Sequence, residues 1–171
     1  MLEDLGFYWF EDPIGRPEDY GRVREALDTV MVSGHFGQTN RFDVKEWIDR
    51  DWVDITQIDC NIGGITECFY VAHSGALKGK IHCPHNWHGG FTTMSNAHLT
   101  AAIPNRHYCE LNQTFNPLKE EVFKEPLTVK NGWMELPEKP GYGVEIIDDI
   151  EKKFPYVPGT YHRPNPNLLP G

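Results

Sequence analysis

Apolar positions along the chain follow two alternating rhythms. Short runs dense in aromatic and β-branched residues read as strands: "FYWFED" (Phe7 to Asp12), "TVMVSG" (Thr29 to Gly34), "VDITQID" (Val53 to Asp59), "KIHCPH" (Lys80 to His85) and "RHYCELN" (Arg106 to Asn112). Between them lie stretches of helical spacing. "RPEDYGRVREALD" has Pro17 near its start, acids in its first turn, and Val23 and Leu27 on one face. "RFDVKEWIDRD" places Phe42, Val44, Trp47 and Ile48 as an apolar stripe. "GGITECFYVAHSGALKG" runs from a glycine pair to Gly79, and "TTMSNAHLTAAIP" from a threonine cap to Pro104.

The result is β-α-β-α-β-α-β-α-β, five strands and four helices joined by short turns. Such alternation predicts an α/β fold of parallel strands with right-handed crossovers. At Asn116 the texture changes: prolines accumulate and the helical and strand rhythms fade. Residues 1–115 are thus expected to form the α/β unit. Residues 116–171 are expected to be an irregular segment wrapping a neighbouring surface, with disorder in the last ten residues of "YHRPNPNLLPG".

Composition narrows the function classes. The chain has 171 residues, enough for one real core, with 39% hydrophobic and 24% charged residues. A net charge of −9 argues against nucleic acid or an anionic membrane as the main partner. No apolar run approaches the roughly 18 residues that span a bilayer, and "MLEDLGFYWFEDP" lacks the basic start of a secretory leader. Cys60, Cys68, Cys83 and Cys109 form no CxxC pair and are expected to be reduced thiols in a cytoplasmic protein.

The candidate chemistry gathers at strand ends, where α/β folds keep it. Each predicted strand closes on an ionisable residue: Glu11, His35 just past Gly34, Asp59, His85 and Glu110. Two-residue alternation puts Ile55, Gln57 and Asp59 on one face, and Ile81, Cys83 and His85 on one face, with His82 pointing the other way. Tyr108 shares a face with Glu110. "IHCPHNWHGG" therefore contributes His85 to the strand ends. His82 and His88 read as surface or helix-facing residues, and His98 and His107 as structural. Asp59 also suits capping of the turn "NIGG", and Gly63–Gly64 is explained by tight turn geometry.

The stretches "WFEDP", "VDITQIDCNIGGITE", "CPHNW", "HLTAA" and "HYCELN", followed by "LTVKNGWMELPEKPGYGVEI", resemble the second half of enolase-superfamily enzymes. The nearest likeness is to the mandelate racemase branch with its acid-sugar dehydratases, over about Phe7 to Asp148. The resemblance implies the C-terminal part of a (β/α)8 TIM-type barrel, strands four to eight. It places the first strands, an early-strand lysine and an N-terminal capping domain outside these residues. It also implies a divalent metal, Mg²⁺ first, and a sugar-acid carboxylate whose α-proton is removed through a metal-stabilised enediolate, with loss of the β-hydroxyl. Racemisation or epimerisation of a 2-hydroxy acid is the sibling outcome, and a non-catalytic half-barrel the alternative of another class.

Carried over by motif, Glu11 resembles a metal ligand, Asp59 and His85 the dyad in which histidine is the base, and Glu110 the acid beside the substrate carboxylate. "VSGHFG" departs from the family's "GE": His35 stands where a ligand glutamate is usual. His35 is then either an altered ligand, tilting preference toward Mn²⁺ or another transition metal, or a sign of lost metal binding. With five of eight strands, the chain is expected to be inactive alone and to act as a homo-oligomer or with the rest of a barrel.

Overall fold

The computed structural model describes residues 1–35 and 38–156. Eight elements alternate: β1 (Trp9–Glu11), α1 (Pro17–Glu25), β2 (Met31–Gly34), α2 (Arg41–Asp49), β3 (Ile55–Thr56), α3 (Gly64–Ala76), β4 (Ile81–His82) and α4 (Gly90–Ala102). The strands form one parallel sheet in the order β1-β2-β3-β4, so α1, α2 and α3 are each a crossover between neighbours.

The regular strands are shorter than the hydrophobic runs, but the pairing outlasts them. Beyond β3 and β4, the Cys83 N–H donates to the Thr56 carbonyl at 3.1 Å and the His85 N–H to the Gln57 carbonyl at 3.1 Å. This keeps Asp59 and His85 at the same level of the sheet. The predicted fifth strand shrinks to a single parallel bridge, His82 with Arg106, supported by the His82 N–H on the Asn105 carbonyl at 3.0 Å. Pro104 lacks an N–H, and among the described residues no further strand flanks this edge.

Helices pack where the period says, with two corrections. In α2, Val44, Trp47 and Ile48 are buried, spaced i, i+3 and i+4. Phe42 is 77% exposed; two residues before Val44 it lies about 200° around the helix, on the far side. The expected threonine cap of α4 is also replaced. The helix begins at Gly90 with Gly89 as N-cap, and Thr92 and Thr93 are buried within it. A Cβ on Gly89 would meet the Leu118 carbonyl at 2.9 Å, and one on Gly90 the Phe123 ring at 2.8 Å. The glycines thus let the C-terminal segment press against the start of α4.

That segment carries α5 (Pro117–Glu120), an antiparallel hairpin of β5 (Val129–Lys130) and β6 (Trp133–Met134), and α6 (Ile150–Lys153). Asn131 and Gly132 turn the hairpin with positive φ of 52° and 80°. Val122 and Phe123 pack on Met94 of α4, joined by Leu127, Leu136, Val144, Ile150 and Phe154. The tail "YHRPNPNLLPG" and its expected disorder lie outside the described residues.

Two further clusters hold helices to sheet. Val44, Ile48, Ile58, Cys68, Val71, Ala72, Leu99 and Ile103 form one; Tyr20, Val32, Trp47 and Val53 form the other. The N-terminal ends of the strands are held by charge. The Asp54 carboxylate accepts from the Val32 N–H at 3.0 Å and from Arg24 Nε at 2.8 Å. The buried Lys80 ammonium pairs with Asp51 and lies 3.9 Å from Asp54. Ionisable residues at this end tie the fold together and leave the opposite end for chemistry.

Candidate active site

Four successive strand ends deliver ionisable side chains to one place. Glu11 closes β1 and Asp12 follows it with a φ of 40°, a left-handed conformation that aspartate tolerates better than most residues. This turn aims the Asp12 carboxylate at β2. Its Oδ1 accepts from the Tyr20 hydroxyl at 2.8 Å and from the His35 N–H at 3.2 Å. Its Oδ2 lies 2.9 Å from His35 Nδ1, an ion-pair contact off the line of a hydrogen bond. Glu11, Asp12 and His35 can each offer one ligand atom, all within 4.8 Å of one another.

The charges respond to this proximity. Burial pushes the Asp12 carboxyl up, but His35 and Tyr20 outweigh it and hold the group below the usual carboxylate range. Asp12 in turn raises the His35 imidazole above its ordinary value, against the opposing effect of burial. Burial and the neighbouring Asp12 carboxylate raise the Tyr20 phenol, so it remains a donor.

The second group sits on β3 and β4. Asp59 is fully buried. Its Oδ1 accepts from the N–H groups of Asn61 and Ile62 at 2.8 and 3.0 Å, closing the turn ahead of α3. Its Oδ2 is 2.9 Å from His85 Nδ1. Capping the turn and orienting an imidazole are thus done by different oxygens of one carboxylate. The His85 ring stacks on the His35 ring with centroids 4.3 Å apart and planes 17° apart. His85 therefore bridges the two clusters.

Glu110 joins from the segment after the His82–Arg106 bridge. Its Oε2 accepts from the Asn86 N–H at 2.8 Å and its Oε1 from the Trp87 indole at 2.9 Å. It therefore faces the loop that follows His85, and Asn86 Nδ2 returns a bond to the Glu110 carbonyl at 2.7 Å.

Sequence reasoning passed over three residues. Asp12 shares the first cluster and was readable only as the neighbour of Glu11 in "EDP". Asn96, fully buried on α4, donates to the His85 carbonyl at 2.9 Å and accepts from the Cys60 N–H at 3.0 Å, clamping the ends of β3 and β4. His88, expected on the surface or against a helix, instead brings Nε2 within 3.6 Å of Asp59 Oδ2. His82 does lie off the site. It is fully buried, with Nδ1 2.9 Å from the Thr56 hydroxyl, and burial lowers it to about 4.

The donor set fits a divalent cation. Two carboxylates and an imidazole converge at Glu11, Asp12 and His35, and two oxygen-bearing groups with one nitrogen suit Mg²⁺ less than Mn²⁺ or a later transition metal. Beside them stands the imidazole–carboxylate pair of His85 and Asp59.

Residues 1–150 match the family described as enolase C-terminal domain-like. The chain belongs to this family. Arabinonate dehydratase of Saccharolobus solfataricus is 32% identical over 158 residues, covering 90% of the chain and 41% of that protein. D-galactarolactone cycloisomerase of Agrobacterium fabrum is 32% identical over 162 residues, 88% of the chain and 42% of that enzyme. The crystal structure of the 3,6-anhydro-D-galactonate cycloisomerase from Zobellia galactanivorans superposes with a TM-score of 0.79 at 31% identity, over 90% of the chain and 44% of that structure. The chain thus spans about two fifths of the length of these enolase-superfamily relatives. Its parallel sheet and helices are the C-terminal part of their barrel domain. Among the described residues, no helix is long and apolar enough to cross a membrane.

Proposed function

We propose that these residues form the catalytic half of a metal-dependent acid-sugar dehydratase, in which His85 removes the proton α to the substrate carboxylate. The observation that carries this reading is the 2.9 Å contact of His85 Nδ1 with the buried Asp59 carboxylate at the ends of adjacent parallel strands. The carboxylate holds the Nδ1–H tautomer, which leaves the Nε2 lone pair to accept the proton. Proton transfer from carbon to Nε2 makes the imidazolium, and Asp59 stabilises its charge. The electron pair left on carbon then expels the β-hydroxyl, which leaves as water on taking a proton from the same imidazolium or from a second acid. The resulting enol tautomerises to a 2-keto-3-deoxy acid.

Glu11, Asp12 and His35 would hold the divalent cation, His35 as a ligand in its unprotonated form only. When bound there, the cation supplies the positive charge that an oxyanion developing on the substrate carboxylate needs. Glu110 would border the carboxyl end of the substrate while fixing the Asn86–Trp87 loop beside the base. The dehydratase outcome is favoured by the arabinonate dehydratase likeness. The cycloisomerase relatives fit the same site because removal of an α-proton opens several elimination chemistries.

The test is a panel of aldonic and aldaric acids with Mn²⁺ or Mg²⁺, assayed for keto-acid on a polypeptide that completes the barrel. Keto-acid formation is expected, and His85→Asn is expected to lower turnover by roughly 10³-fold. Full turnover by His85→Asn would remove the base assignment. Solvent deuterium entering recovered substrate without loss of water would move the reading to racemisation. The chain alone is expected to show no turnover, because among the described residues β1 is an edge of the sheet and the strands do not close a ring.

A further inference from the structure

The Asp59 oxygen that meets His85 also faces a second imidazole. His88 Nε2 lies 3.6 Å from Asp59 Oδ2, and the His85 and His88 rings meet edge-on with centroids 5.9 Å apart. We propose that Asp59, His85 and His88 form a second metal site, selective for a borderline transition metal of the zinc class and separate from the Glu11–Asp12–His35 cluster. Its binding shares residues with the proposed base without depending on their catalytic role; only its effect on turnover rests on that reading.

Three observations support the site. The first is spacing. The three residues offer ligand atoms all within 4.8 Å of one another. Ligand atoms about 2.0–2.1 Å from a tetrahedral zinc stand about 3.3 Å apart. The His88–Asp59 separation of 3.6 Å is already close to this, and the His85–Asp59 separation of 2.9 Å must open by only a few tenths of an ångström. The second is how loosely His88 Nε2 is held. At 3.6 Å, His88 Nε2 is too far from Asp59 for a hydrogen bond, while the Asn61 amide approaches the same nitrogen at 3.3 Å. With the Asn61 amide donating, Nε2 is the unprotonated nitrogen, and a cation entering between it and Asp59 Oδ2 displaces only this long contact and no His88–Asp59 hydrogen bond. The third is rigidity. Asp59 is pinned through Oδ1 by two backbone N–H groups, and His85 through its carbonyl by buried Asn96.

Two imidazoles and one carboxylate select zinc-class ions over Mg²⁺, which requires oxygen donors. Occupancy draws both Nδ1 of His85 and Oδ2 of Asp59 onto the ion and breaks the dyad. A zinc-class ion here is therefore inhibitory, whereas a cation at Glu11–Asp12–His35 is the proposed cofactor.

Cobalt(II) is the probe, titrated into the chain under a thiol-free reductant and followed by its visible d–d bands. The double variant Glu11→Gln/His35→Ala removes the other cluster and is expected still to bind one equivalent. Adding His88→Ala or His88→Gln to that background is expected to weaken binding by roughly tenfold or more, with helical circular dichroism unchanged because the His88 side chain is 35% exposed. Unchanged affinity in both His88 variants, or loss of binding in the double variant with its fold intact, overturns the site. So does an intense thiolate-to-cobalt charge-transfer band, which would assign the ion to a cysteine. None of these outcomes touches the proton-abstraction reading, which is judged by turnover of His85→Asn.

Discussion

Asp59 Oδ2 lies 2.9 Å from His85 Nδ1, while Asp59 Oδ1 is taken by the N–H groups of Asn61 and Ile62. One carboxylate therefore has a structural oxygen and a functional oxygen, and an amide can replace only the first. In Asp59→Asn the carbonyl oxygen keeps the turn bonds and the amide NH2 faces His85. A donor there forces Nδ1 to become an acceptor and puts the proton on Nε2, where the base must be free. In a barrel-complete polypeptide, turnover is expected to fall by about 10³–10⁴-fold with little loss of stability. Nitrogen NMR of His85 should show the tautomer switch in the chain itself. An unchanged tautomer would mean that Asp59 does not set it.

Gly34 illustrates how closely the first cluster is built. A Cβ at this position would stand 2.6 Å from Tyr20 Cε1 and 2.9 Å from Asp12 Oδ1. Gly34→Ala therefore has to push the Tyr20–Asp12 pair away from His35. A loss of about 1–3 kcal/mol in folding stability is expected from overpacking, together with weaker Mn²⁺ binding by the Glu11–Asp12–His35 cluster. Urea unfolding and Mn²⁺ titration by electron paramagnetic resonance measure the two effects. Wild-type Mn²⁺ affinity in Gly34→Ala would show that Asp12 is not among the ligands.

The charged network at the other end of the strands should separate from the site cleanly. Lys80 is buried and pairs with Asp51 and, at 3.9 Å, with Asp54. Lys80→Met keeps the aliphatic stem and leaves Arg24 as the cation that both aspartates share. Because Asp51 is half exposed, solvent recovers part of the loss, and about 1–3 kcal/mol of destabilisation is expected. Cobalt and manganese binding should be unaffected. A drop in metal affinity would mean that the two ends of the sheet are coupled.

Much of the architecture was legible because parallel strands buried on both faces announce themselves as short β-branched runs, and α3 and α4 as long apolar-periodic ones. The strand-end rule singled out Glu11, His35, Asp59 and His85, which the sheet brings to one end, whereas Glu110 comes from the segment past the His82–Arg106 bridge and not from a strand end. Other features depend on information that does not lie within one element. Asp12 acts through a left-handed backbone and a hydroxyl eight residues away, and Asn96 through a carbonyl on a different strand. His88 follows His85 by three residues in a loop, where no periodicity fixes direction, so its approach to Asp59 is set by tertiary packing alone. The Gly89–Gly90 start of α4 is similar: the threonines looked like caps, and the close approach of Leu118 and Phe123 decided otherwise. The Asn131–Gly132 hairpin is the opposite case, a strong local signal that the proline-rich texture around it obscured.

His82 should make the stability of the fold depend on pH. It is fully buried, its Nδ1 meets the Thr56 hydroxyl, and its Nε2 has no partner among the described residues. Burial lowers it from 6.5 to about 4. In the unfolded chain it binds a proton as pH falls through 6.5, while in the folded chain it stays neutral until about 4. Across that interval the unfolded state holds more protons, so stability is full above 6.5 and declines as pH falls toward 4. The slope for one such group is about 1.4 kcal/mol per pH unit, and the whole window amounts to about 3 kcal/mol. His82→Asn, which keeps a polar atom for Thr56, removes the titration and so should flatten this part of the profile whatever its own cost at neutral pH. Urea unfolding of both proteins at pH values of about 7, 6, 5 and 4.5 measures the difference. Parallel profiles would show that the imidazole gains access to water or a partner when protonated, and that its burial is not what resists the charge.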